Sequence, residues 1–234
     1  MKKRVLAVVL AAFLCAPAVL VAQQPGALEA GYQSPPKTIV DILDAAPPPM
    51  AVVSPAQNVI ALLDRASMPR IADLAEPMLR LAGTRVNPRI NGPHSPAMIQ
   101  GITFKRIADG SETKVPLPAN VRLSAPAFSP DGKWLSFMIG RANGVELWVA
   151  DVATAKARAV TSATINALEG CSWLQDSSAL LCHFVVAGRG PAPAPPAVPA
   201  GPRVQENMGK AAPAPTYQDL LANAHDEALF EYYF

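Results

Sequence analysis

Between residues 125 and 161 the chain reads APAFSPDGKWLSFMIGRANGVELWVADVATAKARAVT, a series of short extended segments separated by turn chemistry. Residues 126–129 lead into Pro130-Asp131-Gly132, where proline presets φ and glycine accepts a positive φ, so the chain reverses at little cost. Residues 134–139 follow as a strong strand. Leu135, Phe137 and Ile139 lie on one side of it and Trp134, Ser136 and Met138 on the other. Apolar groups on both faces suit a sheet covered on both sides. Asn143-Gly144 is a hairpin signal ahead of a third strand at 145–150. The fourth, 156–161, alternates Lys156 and Arg158 with Ala157 and Ala159, the thin, charged pattern of an exposed outer edge. Such a meander cannot bury both its faces alone. It reads as one four-stranded propeller blade; an isolated meander in another β fold has the same local pattern.

The pattern recurs. Phe128 to Leu135 (FSPDGKWL) is echoed by Trp173 to Leu180 (WLQDSSAL), an offset of 173 − 128 = 45 residues. That is within the roughly 40–45 residues of one common propeller repeat. A weaker copy, VSPAQNVI, starts at Val53, 128 − 53 = 75 residues upstream, so its blade must hold an insertion. Residues 64–98, broken by seven prolines and glycines, fit that insertion. The blade then resumes at 101–107, turns at Ala108-Asp109-Gly110 and closes at 112–115. Ahead of it, residues 35–43 read as a short helix with proline in the first turn, Ile39, Ile42 and Leu43 on one face, and Pro47-Pro48-Pro49 as the stop. A Pro/Ala/Gly-rich segment at 187–215 interrupts the last blade as a stiff, extended loop. A helix is expected from Thr216, with Asp219 three residues on. Residues 227–234 (EALFEYYF) then read as a strand.

The first twenty-two residues stand apart from this. Lys2, Lys3 and Arg4 precede an apolar run at 5–14, and small residues follow at Ala16, Ala18 and Ala22, the layout of a cleaved secretory signal peptide. The expected organisation is a signal peptide at 1–22, a segment with a short helix at 23–46, and an incomplete β-propeller at 47–234. Its blades span about 48–117, 122–162 and 167–234. The fold class is all-β, a partial propeller of about two and a half to three four-stranded blades with short helices. Two full blades plus three strands of another also imply a truncated chain. Removing Lys2, Lys3 and Arg4 from 20 basic residues leaves 17 against 18 acidic ones, so no basic surface for nucleic acid is expected. The mature protein should be soluble, free of the membrane, and periplasmic or secreted.

Export permits disulfides, and the remaining cysteines are Cys171 and Cys182. A two-residue loop at Asp176-Ser177 places them directly opposite each other; a three-residue loop like Pro130-Asp131-Gly132 puts them on opposite faces. Two small buried hydrophobes are the alternative to a bridge. A bridge contributes roughly 2–4 kcal/mol at most.

Several segments together resemble the prolyl oligopeptidase family of serine peptidases, in its exported glutamyl endopeptidase-like branch. They are PPKTIVDILDAAPPPMAVVSP (35–55), LRLAGTRVNPRINGP (79–93), FSPDGKWLSF with ELWVADVATAKARAVT, and GPRVQENMGKAAPAPTYQDLLANAHDEALFEYY (201–233). The SPDG blade is shared by many propellers, including those of the TolB type; the opening and closing segments are far more specific. The resemblance implies an N-terminal propeller that covers a C-terminal α/β-hydrolase domain and gates peptide access to a Ser–Asp–His triad. The serine of such a domain sits in a G-x-S-x-G elbow. Gly170-Cys171-Ser172-Trp173-Leu174 starts that way but ends on leucine, within a strand, so no catalytic residue is assigned here. The chain alone is expected to be inactive, its peptide substrate being met through the missing domain. The alternative is a non-catalytic periplasmic propeller that binds a protein or peptide partner.

Other chemistry is sparse. His94, His183 and His225 have no second ligand at metal spacing, and Cys171, Cys182 and His183 lack a further one. Asp226 and Glu227, adjacent on a strand, would point to opposite faces. Gly188-Arg189-Gly190 precedes prolines rather than a helix, so it is no phosphate loop. No metal or cofactor is expected. Trp134, Trp148 and Trp173 read as packing between sheets.

Overall fold

The computed structural model describes residues 34–198, 209, 220–221 and 223–234. The expected signal peptide at 1–22 and the helix start at Thr216 with Asp219 lie outside the described residues. The chain divides after Ile42. Just at that division lies α1 (Lys37–Leu43), tied along its own surface by Lys37 to Asp41 at 2.6 Å. Its apolar residues Ile39, Ile42 and Leu43 are exposed.

The larger unit is built from antiparallel strands. β1 (Met50–Val53) and β2 (Val59–Arg65) pair as a hairpin, β2 pairs β6 (Ile99–Arg106), and β6 pairs β7 (Glu112–Lys114). A second meander runs β8 (Leu123–Phe128), β9 (Trp134–Arg141), β10 (Gly144–Asp151), β11 (Ala157–Ala159). A single residue pair, Ile99 with Leu123, joins the two meanders. A third, shorter pair consists of β12 (Cys171–Trp173) and β13 (Leu180–Cys182). No sheet closes on itself among the described residues.

The strand β9 is covered on both faces, as its sequence requires. Leu135, Phe137 and Ile139 are fully buried in one core with Ala61, Leu63, Ile102 and Phe104 of the first meander. Met138 belongs to a different core, with Val145, Leu147 and Ile165, against which Cys171, Leu180 and Cys182 pack. Three sheets are thus stacked with apolar layers between them, the arrangement expected from alternating apolar groups on both faces. Trp173 adds a polar tie between the second and third sheets: its indole N–H donates to Ser136 Oγ at 3.0 Å and to the Ala127 carbonyl at 3.2 Å. Trp148 lies beside Phe137 with ring centroids 6.4 Å apart.

The repeat seen in sequence is repeated in backbone geometry. In each hairpin a four-residue loop is closed the same way: Ser54 N–H donates to the Val59 carbonyl, Ser129 N–H to that of Trp134, and Leu174 N–H to that of Ala179. The third loop residue has a positive φ in every case, at Gln57 (54°), Gly132 (73°) and Ser177 (62°). These loops also lie against one another. A Cβ on Gly132 would come within 3.2 Å of the Ala56 methyl, and the Asp131 N–H donates to Ser177 Oγ at 2.9 Å. The loops are therefore four residues long, not the two or three that residue types alone suggested. Their even length sets Cys171 opposite Cys182, with Cα atoms 4.2 Å apart and the sulfurs bonded.

The insertion at 64–98 is structured. It holds α2 (Ile71–Leu74) and a small sheet of β3 (Leu79–Leu81), β4 (Thr84–Asn87) and β5 (Gly92–Pro93). Leu81 and Val86 of this sheet bury Leu229 and Tyr233. Those two residues belong to α3 (Ala224–Tyr233), so the strand expected over 227–234 is instead a helix. Asn223 caps it by accepting the Asp226 N–H at 3.0 Å, and Asp226 and Glu227 occupy the first turn, where carboxylates favour a helix N-terminus. The last carbonyls are satisfied as well. Asn91 and Asn166, both buried, donate to the Tyr233 carbonyl at 3.1 and 2.9 Å, and Arg189 donates to that of Tyr232 at 2.7 Å. Residues 187–198 have no regular secondary structure beyond turns and bends.

The β9–β10 hairpin differs from its sequence reading by one residue. Ala142 and Asn143 form the loop, and Gly144 opens β10 opposite Arg141. Glycine is needed there for a different reason: any Cβ would run into the Ala163 carbonyl. Gly140, two residues before the loop, has nothing within 4 Å of a built Cβ. Gly144→Ala should therefore destabilise the fold by about 1–3 kcal/mol, as overpacking does, while Gly140→Ala stays close to neutral. Urea unfolding of the two variants checks this, and equal midpoints would refute it.

Candidate functional site: an arginine-lined cleft

The four-residue loops lie at one end of the stacked sheets. At the opposite end, where β2 and β9 finish and β6 and β8 begin, the insertion leaves a cleft of about 600 Å³. Five arginines line it: Arg65, Arg70, Arg89, Arg122 and Arg141. Asp73, Glu76 and His94 line it too.

Three of the arginines are held by carboxylates. Arg70 forks onto Asp73 from the head of α2, at 3.0 and 2.8 Å. Arg89 meets both oxygens of Glu76 at 2.8 Å and donates to the Ala142 carbonyl at 3.2 Å, which ties the insertion to the β9–β10 hairpin. His94 Nε2 lies 3.0 Å from the Glu76 carbonyl and steadies the same segment. Arg141 pairs with Glu146 at 2.8 Å, and that carboxylate also accepts the Trp148 indole N–H at 2.8 Å. The Arg70 guanidinium holds the Asp73 carboxyl below its ordinary range, and Arg141 does the same for Glu146.

Arg65 and Arg122 are different. Neither makes a salt bridge among the described residues; Arg122 reaches the Met98 carbonyl at 3.5 Å, and its charge adds to that of Arg70 in holding the Asp73 carboxyl low. They flank the start of β6: Arg65 pairs in register with Ile99, and Leu123, next to Arg122, pairs with Ile99 from the other side. Both neighbouring walls carry a register irregularity, between Asp64 and Arg65 and between Ser124 and Ala127. Ala125 adopts a φ of 49° in the second. Bulges of this kind re-aim side chains at the ends of strands and are frequent beside functional sites.

The residues singled out in sequence mostly lie elsewhere. Cys171 and Cys182 sit at the third sheet, and His183 is exposed just past β13. His225 and Asp226 are in the first turn of α3, not on or beside a strand. No group of three or more His, Cys, Asp or Glu that could hold a metal occurs among the described residues. The cleft arginines escaped sequence reading because they are spread from 65 to 141 in a chain of near-neutral charge. Arg70-x-x-Asp73 alone had a recognisable local spacing.

The cleft's ion pairs make a pH prediction. Asp73 and Glu146, with Asp131 and Asp176 of the hairpin loops held low by Ser129 and Ser178, all have folded-state pKa values below the ordinary ones. Their contribution is present above the unfolded value and is lost as pH falls through the folded one. Thermal unfolding midpoints should hold steady near neutrality and fall below about pH 4, the ordinary carboxylate range. Glu146→Gln should shallow that fall; an unchanged slope would contradict the assignment.

No protein-family model matches the chain. It is 34% identical to a probable glutamyl endopeptidase, chloroplastic, of Oryza sativa subsp. japonica, over 87% of this chain and 23% of the relative. It is 35% identical to the protein of the same name in Arabidopsis thaliana, over 88% of this chain and 23% of the relative. Among solved structures, Pyrococcus horikoshii acylaminoacyl peptidase overlaps 65% of this chain and 21% of its own, at 22% identity and a TM-score of 0.36. The β-propeller domain of the trilobed protease from Pyrococcus furiosus overlaps 58% of this chain and 34% of its own, at 17% identity and a TM-score of 0.33. The chain thus spans about a quarter of the length of the curated relatives it matches. Over nearly nine-tenths of its length it is similar to these glutamyl endopeptidases, which supports the resemblance that its opening and closing segments carry.

Proposed function

We propose that this chain is the N-terminal propeller part of an exported serine peptidase, which gates the access of peptides to a hydrolase domain outside these 234 residues. The observation that carries the reading is the identity of 34–35% to glutamyl endopeptidases over nearly nine-tenths of the chain. The stacked four-stranded meanders, each repeating one loop geometry, are the scaffold such a gate requires. A serine nucleophile needs an imidazole to take its proton and preorganised donors for the oxyanion, and both belong to the hydrolase domain in this reading.

The test is direct. The DNA following the codon for Phe234 should encode further repeats and then a G-x-S-x-G. Protein made from that longer frame should hydrolyse peptides and lose activity to a serine-reactive inhibitor. The 234 residues by themselves should show no hydrolysis. A stop after one or two more blades, or inhibitor-sensitive activity from this chain alone, would refute the proposal. A stop would favour a non-catalytic propeller that binds a partner.

Export rests on Lys2, Lys3 and Arg4 ahead of the apolar run, and an oxidising compartment would keep Cys171 and Cys182 bonded. Peptide mapping of protein recovered from its native host, alkylated without reductant, should return the two cysteines in one linked product. Two alkylated thiols would argue against both the bridge and export.

A further inference from the structure

We infer that Asn143 is a site of spontaneous deamidation, and that isoaspartate formed there loosens the tie between the insertion and the β9–β10 hairpin. The chain holds two asparagine–glycine pairs, Asn91-Gly92 and Asn143-Gly144. Glycine obstructs its own backbone nitrogen least, because it has no Cβ. In such a pair the glycine nitrogen attacks Cγ of the asparagine. The Cγ–Nδ2 bond breaks, and the glycine amide proton leaves with the ammonia. Water then opens the succinimide that results. Opening at Cγ gives aspartate; opening at the original backbone carbonyl gives isoaspartate, whose main chain runs through Cβ and Cγ.

The fold separates the two sites. Asn91 is buried, and its side-chain amide donates to Asn166 Oδ1 at 2.8 Å and to the Tyr233 carbonyl at 3.1 Å. Its Oδ1 accepts from Arg189 at 2.7 Å, and its backbone carbonyl accepts the Ala167 N–H at 3.0 Å. Cγ of Asn91 cannot turn toward the Gly92 nitrogen without breaking all three side-chain bonds, and bonds left unmade in a buried cluster are costly. Asn143 is exposed in the two-residue loop, and its side chain makes no hydrogen bond among the described residues. The Gly144 nitrogen is restrained by the Gly144–Arg141 pair, the last of the ladder. End pairs open most readily, so cyclisation there is slower than in a free peptide but proceeds without unfolding.

The two products differ in what they do to the hairpin. Aspartate keeps the length of the loop. Isoaspartate adds one carbon to it, and loop length sets the register of a hairpin. Gly144 cannot take up the displacement, because the Ala163 carbonyl leaves no room beside it. The shift therefore falls on Ala142, whose carbonyl accepts Arg89 Nη2 at 3.2 Å. The same guanidinium grips Glu76 of the insertion, so moving that carbonyl releases the insertion from the hairpin.

The test ages the purified protein at mildly alkaline pH and follows both asparagines by peptide mapping, with fragmentation that distinguishes aspartate from isoaspartate. In the folded protein Asn143 should convert at least about tenfold faster than Asn91, whereas in urea the two should convert at comparable rates. Conversion of Asn91 alongside Asn143, or of neither while the urea-unfolded chain converts, would overturn the site. The isoaspartate form, separated by its added charge, should exchange the amide hydrogens of residues 85–94 at least about threefold faster than fresh protein. Asn143→Asp has the same charge and an unchanged loop length, so it should exchange like fresh protein. Unchanged exchange in the isoaspartate form, or equally fast exchange in Asn143→Asp, would overturn the loosening. Neither readout depends on hydrolysis, so both stand apart from the peptidase reading.

Discussion

Phe137 and Met138 are consecutive residues that are buried in different cores. That follows from the alternation of side chains along a strand, and it makes β9 the member on which the other sheets depend. Its odd-numbered residues complete the core of the first meander, and Met138 opens the core beneath the third pair of strands. Neither layer can be removed without exposing large apolar side chains of β9, of which Leu135, Phe137 and Ile139 are fully buried. The stacking is reinforced at one end by the loops. Ser54 and Ser129 are buried there and bond their own loops, accepting the Val59 and Trp134 N–H groups. Leu174 replaces this serine in the third loop, which keeps only the aspartate bond: Asp176 accepts the Ser178 N–H as Asp131 accepts that of Lys133 in the second. The same loop is thus closed by different side chains, because its backbone bonds and its positive φ matter more than any one residue.

Fixing one end of the stack leaves the other end to diverge. There β2 and β9 end, and the insertion between β2 and β6 adds α2 and a small sheet whose Leu81 and Val86 pack against α3. Charged groups can live in that region because it is open to solvent, and exposed ion pairs there cost little and contribute little. Their value is positional. Arg89 spans Glu76 and the Ala142 carbonyl, so one guanidinium links the insertion to the hairpin.

The repeating part of the fold was legible in the sequence, because apolar alternation and loop chemistry are local signals. The strands of the central meander, the split of the first one around an insertion, and the pairing of the two cysteines' strands could be read from residue order alone. What was not legible depends on residues distant in the chain. The exact loop length came from backbone bonds such as Ser129 N–H to the Trp134 carbonyl, which no residue type announces. Gly144 looked like a turn residue, yet it is required by Ala163, which approaches from nineteen positions downstream. The cleft arginines carry no motif, since their meeting is set by strand register and by an insertion whose structure its prolines and glycines concealed.

The segment 224–233 shows how such a conflict is decided. Its aromatic residues Phe230, Tyr232, Tyr233 and Phe234 suit a strand, while Leu229 and Tyr233, four apart, suit a helix face. A strand must find a partner for each backbone group, whereas a helix satisfies all but its ends internally. Here both ends are satisfied. Asn223 caps the first turn, and Asn91, Asn166 and Arg189 meet the last carbonyls, with Arg189 also lying over the Tyr232 ring at 3.9 Å. Those three groups come from the insertion, the link between sheets and the proline-rich segment. The helix is therefore specified less by its own ten residues than by donors that the rest of the fold delivers to its end.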